Sequence, residues 1–177
     1  MKKGGKGGGK TVTGLRFERK KDLVNLLKEI QGYEIKKLEN QAGFFVYYQG
    51  NLVARCFVKN EFYKFLEENN IDWKKIISKK IIPDNSLLVI IRKTLFIFEI
   101  KYQEVEGSVD EKLQTCDFKR KQFSKLVKPL NLKVEYVYVL NNWFKNPKYK
   151  DVLDYIESMN CHYVFDEIPL DWLGLPH

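Results

Sequence analysis

The sequence predicts an α/β domain with a mixed central β-sheet flanked by helices. Three observations carry that expectation. β-branched and aromatic runs of strand length recur along the chain. Stretches with one apolar face at helical spacing fall around and between them. The apolar runs 87–91 and 95–100 flank the polar triplet Arg92-Lys93-Thr94, the pattern of a β-hairpin.

Taken in order, residues 2–10 contain only glycine and lysine. Such a segment cannot build a core, so residues 1–12 are expected to form a flexible basic tail. The tail satisfies the phosphate-loop formula from Gly4 to Thr11. A phosphate-binding loop needs a buried strand feeding into it, and too few residues precede Gly4. The tail therefore reads as a solvated segment or a basic arm for DNA phosphates. Residues 13–177 are expected to form a single domain. Thr13 is placed to cap a helix from about Gly14 to Glu29 or Ile30, ended by Gly32.

Residues 33–38, 44–48 and 52–58 read as strands, the last two joined by Gln49-Gly50-Asn51. Asn60 and Asp72 are placed to cap two short helices. The stretch 44–80 reads as an insertion into a smaller core. Beyond the 87–100 hairpin, a helix is expected from Val109 to about Val127, broken by Pro129. Then come a buried strand at 134–140, a loop at 141–146, a helix after Pro147 and a last strand at 161–165.

The chain has 177 residues, 44% of them hydrophobic, enough to bury a real core. Its net charge of +8 favours a polyanionic partner. Cys56, Cys116 and Cys161 lack metal-site spacing and suggest a reducing compartment. No stretch is long and apolar enough to span a membrane, so no membrane partner and a cytoplasmic location are expected.

The chemistry concentrates at one end of the hairpin. Strand side chains alternate, so Glu99 and Lys101 share a face and Ile100 points the other way. Folding the hairpin back brings Asp84 to the end where Lys101 emerges. Two carboxylates at close range repel unless a cation lies between them, and oxygen ligands suit magnesium. A lysine beside them can stabilise charge developing at a phosphate. A three-residue turn would set Asp84 nearest Tyr102, on the wrong face. A bulge or bend near residues 83–86 would correct it.

Pro83-Asp84, a hairpin, then Glu99-Ile100-Lys101 resembles the signature of the PD-(D/E)XK nuclease superfamily, in the manner of type II restriction endonucleases. The resemblance implies a Mg2+-dependent endonuclease acting on double-stranded DNA. Asp84 and Glu99 would hold the metal, and Lys101 would orient water and stabilise the pentavalent phosphate. It implies a homodimer for cutting both strands, with a cognate methyltransferase acting on the same site. Glu18 resembles an upstream glutamate facing such a metal, with a solvated helix carboxylate as the other reading. On the helix after the hairpin, Gln114 and Lys112 are the candidates to reach the site. Lys119 and Lys121 belong to a basic stripe suited to DNA phosphates. Asn141 and Asn142 sit in a loop that could read base edges or serve as a structural turn. His162 reads as a packing residue of its strand. A junction-resolving or repair nuclease of the same superfamily, and a noncatalytic nucleic-acid-binding module, are the alternatives.

Overall fold

The computed structural model describes residues 14–17, 22–105, 107 and 109–177. The architecture is mixed α/β: a seven-stranded sheet with helices on both faces and a separate two-stranded ribbon. In chain order the elements are β1 (Gly14–Arg16), α1 (Leu23–Lys28), β2 (Tyr33–Lys36), β3 (Phe44–Tyr48), β4 (Asn51–Val58) and α2 (Glu61–Glu68). Next come β5 (Asn85–Val89), β6 (Thr94–Lys101), α3 (Val109–Leu113), α4 (Cys116–Val127) and β7 (Lys133–Leu140). The chain closes with α5 (Lys150–Ser158), β8 (His162–Phe165), β9 (Glu167–Pro169) and α6 (Leu170–Leu173).

The sheet runs β2-β3-β4-β5-β6-β7-β8 in sequence order. It is antiparallel from β2 to β6 and parallel from β6 to β8. Short turns join β3 to β4 and β5 to β6, a longer connection holding α2 joins β4 to β5, and α4 and α5 lie in the crossovers that bring β7 and β8 in parallel. The stretch 44–80 supplies the inner strands β3 and β4, which pair with β2 and β5.

Alternation along β6 divides two cores. Leu95 and Ile97 pack with α2, α4 and α5 residues such as Phe62, Phe123 and Ile156. Phe96 and Phe98 pack on the other face with Leu23, Leu27, Ile168 and Leu173. Phe98 and Ile97 are fully buried, and Phe96 stacks on Phe98 at 6.2 Å. Glu99 and Lys101 continue the Leu95 face, toward α4.

Three local expectations are corrected. The helix expected from Gly14 begins instead at Leu23, where Asp22 Oδ1 accepts the Asn25 N–H at 2.9 Å. Gly14–Arg16 is a strand paired antiparallel with β9, which buries Leu15 and Phe17 against the second core. That burial outweighs local helical preference. The Val109–Val127 helix is two helices, because Thr115 Oγ1 donates to the Lys112 carbonyl at 2.7 Å and competes with the helical backbone pattern. The hairpin turn spans four residues, 90–93, with Lys93 at φ 48° and its N–H on the Ile90 carbonyl. Val89 pairs with Thr94 and Asn85 with Phe98. One step further Asp84 lies opposite Glu99, with no bulge needed.

Candidate active site

The site forms where β5 begins and β6 ends. Tyr63 on α2 secures the approach: its hydroxyl donates to the Ile81 carbonyl at 2.8 Å and accepts the Ile81 N–H at 2.9 Å. Pro83 is buried, and the Lys59 N–H donates to the Asp84 carbonyl. The Asp84 side chain then crosses to the partner strand, where Oδ2 accepts the Ile100 N–H at 2.9 Å. That bond fixes the carboxylate beside Glu99.

Glu99 is only 9% exposed. A charge so buried requires partners. Its Oε1 accepts from Lys101 Nζ at 2.8 Å and from Lys119 Nζ at 3.0 Å. Lys101 arrives by strand alternation and Lys119 from α4, which packs on β7 next to β6. Two carboxylates and two ammonium groups therefore meet on one face of the sheet.

The two carboxylates are tuned apart. Burial raises the Asp84 pKa above its usual value; the Ile100 N–H opposes this and the Glu99 charge adds to it. Burial also works to raise Glu99, but hydrogen bonds and charge from Lys101 and Lys119 prevail and hold it below the carboxylate norm. Among the described residues, no hydrogen bond reaches Asp84 Oδ1 or Glu99 Oε2. Carboxylate oxygens are the ligand type taken by a hard ion such as Mg2+, which uses one or two of them and keeps most of its water. No group of three or more His, Cys, Asp or Glu side chains arranged to hold a metal occurs among the described residues.

Of the residues singled out from sequence, Asp84, Glu99 and Lys101 come together. Lys119, expected on a DNA-facing stripe, joins them. Its stripe-mate Lys121 is exposed and pairs with Asp117 at 2.7 Å. Gln114 lines a different cleft of about 490 Å³ with Tyr149, Asp151 and Tyr155. Lys112 is exposed, and its carbonyl accepts the Tyr138 hydroxyl. Asn141 bonds the Gln103 backbone both ways, accepting its N–H at 3.3 Å and donating to its carbonyl at 2.8 Å, whereas Asn142 is exposed. Glu18 and the tail lie outside the described residues. His162 pairs with Glu135 at 2.9 Å and packs edge-on to Trp172, on the opposite face of the sheet from the site.

Sequence reasoning assigned Lys119 to the DNA-phosphate stripe and did not foresee its contact with Glu99. Its signal was the triplet Lys119-Arg120-Lys121, in which helical rotation turns one lysine inward and another outward. Comparison of the chain with protein families, curated proteins and solved structures gave no match. No helix among the described residues is long and apolar enough to cross a membrane.

Proposed function

We propose that this protein is a Mg2+-dependent DNA endonuclease of the PD-(D/E)XK type, cutting double-stranded DNA as a type II restriction enzyme does. The observation that carries this reading is Asp84 opposite Glu99, with Lys101 Nζ 2.8 Å from the Glu99 carboxylate. Asp84 Oδ1 and Glu99 Oε2 would hold the metal. When bound, the ion would polarise the scissile phosphate and lower the pKa of an attacking water. Lys101 and Lys119 would stabilise negative charge growing on the phosphate oxygens, and Glu99 keeps both ammonium groups aimed. Lys121, Lys112 and Asn142, all exposed, would meet the DNA around this centre.

Cutting both strands of a palindrome would call for a homodimer, and protection of host DNA for a methyltransferase acting on the same site. A junction-resolving or repair nuclease is the second reading, favoured by an exposed aromatic beside Lys119. The test is digestion of supercoiled plasmid with and without magnesium. Discrete fragments that require magnesium support the restriction reading. Nicking or smearing supports the second. Retained DNA binding with no cleavage in magnesium overturns both.

A further inference from the structure

Phe118 breaks the rule by which this chain hides its aromatics. It is 61% exposed, and among the described residues it is the sole aromatic in the exposed class. It stands one residue before Lys119, whose ammonium is 3.0 Å from Glu99 Oε1. The buried side of α4 carries Cys116, Phe123, Leu126 and Val127. Helical spacing places Phe118 on the opposite side, with Lys121 at i+3, Gln122 at i+4 and Lys125 at i+7. Lys121 and Lys125 are exposed there, and the chain's net charge is +8.

An exposed ring flanked by lysines matches one kind of occupant well. Proteins that hold single-stranded nucleic acid combine a basic track for the backbone with an aromatic face for the bases. A base paired within a duplex keeps both its faces covered by its neighbours. An unpaired base offers a face to Phe118 while its phosphates lie along Lys121 and Lys125. We infer that Phe118 is a stacking platform for an unpaired nucleotide next to the scissile phosphate, with Lys121 and Lys125 tracking the strand. Within the nuclease reading this favours the junction-resolving or repair alternative, whose substrate is DNA carrying a single-stranded or unpaired position at the cut. This inference rests on the nuclease reading for its location beside the scissile phosphate, and its test can be run without cleavage.

Oligonucleotides carrying the fluorescent base 2-aminopurine are to be titrated with the full chain in chelator, as single strands, as duplexes with one unpaired base, and as perfect duplexes. The probe is quenched when its ring stacks. Wild-type protein should quench the single-stranded and unpaired probes. Phe118→Ala should abolish the quench and weaken binding of those probes by about 5- to 150-fold, the range of one lost base–aromatic stack. Phe118→Trp should restore both. Affinity for the perfect duplex should change less than about twofold, while Lys121→Ala should weaken all three probes together and lower the salt dependence. Because Phe118 is exposed, Phe118→Ala should unfold at the wild-type temperature. Equal binding and quenching by folded Phe118→Ala and wild type overturns the inference, as does an equal loss on all three probes. If magnesium supports no cleavage but the quench depends on Phe118, the platform stands and the nuclease reading falls.

Discussion

Lys119 reaches from α4 to Glu99 at the end of β6, with its Nζ 3.0 Å from the same carboxylate oxygen that accepts Lys101 at 2.8 Å. A single buried glutamate thus holds two ammonium groups on the face where Asp84 lies. Metal binding and phosphate stabilisation in the proposed chemistry both depend on this knot of charge.

Glu99→Ala and Lys101→Ala should each slow single-turnover cleavage by ~100-fold or more, the scale of losing one preorganised contact to a transition state. Binding should diverge. In chelator, Lys101→Ala should bind DNA more weakly, whereas Glu99→Ala removes a repelling anion and should bind at least as tightly. A folded Glu99→Ala protein that cleaves at the wild-type rate would rule out this site.

The two lysines of the α4 triplet should separate. Lys119→Ala removes one of the two partners of Glu99 and is expected to slow cleavage at saturating DNA. Lys121 is exposed and, among the described residues, pairs with Asp117. Lys121→Ala should leave the saturated rate alone and weaken affinity alike for all sequences. Equal effects on rate from both substitutions would remove Lys119 from the site.

The opposite tuning of Asp84 and Glu99 gives stability of opposite sign. The Asp84 pKa is raised on folding, so its contribution is present below its unfolded value and lost as pH rises through the folded value. The Glu99 pKa is lowered, so its contribution is present above its unfolded value and lost as pH falls through the folded one. At neutral pH in chelator, Asp84→Asn should raise the melting temperature and Glu99→Gln should lower it. The two curves should converge below the carboxylate range. Magnesium at one hundred times its Kd should stabilise the wild type by about 2.7 kcal/mol and Asp84→Asn by much less. Calorimetry across pH, with and without the ion, checks both signs.

Asn141→Ala should act on the fold. It strips the Gln103 backbone of a donor and an acceptor, at about 1–3 kcal/mol for each buried group left unpaired. Cleavage preference among DNA sequences should stay the same. A stable Asn141→Ala protein with relaxed preference would return this residue to base reading.

On the sheet face opposite the site, Phe98→Ala should cost about 3–5 kcal/mol through the cavity left in a fully buried position. Ile100 is only half-buried, so Ile100→Ala should cost less. Chemical denaturation measures the difference, and equal costs would contradict the assigned burial.

Local periodicity made much of this protein legible in its sequence. Strand runs of strictly local character marked β2 to β8, and the period of two put Glu99 and Lys101 on one face with no knowledge of the rest. The acidic cap at Asp72 was also visible, because an N-cap is a contact between near neighbours. What the tertiary structure alone decided depends on groups distant in the chain. The pairing of Gly14–Arg16 with Glu167–Pro169 turned an expected helix into a strand, since burial of Leu15 and Phe17 outweighed local preference. The turn at 90–93 set Asp84 opposite Glu99, because one residue more or less in a turn shifts the register of the whole hairpin. Lys119 reaches Glu99 and Lys121 does not because two helical positions lie about 200° apart around the axis, and only the docking of α4 on β7 chooses which one faces inward.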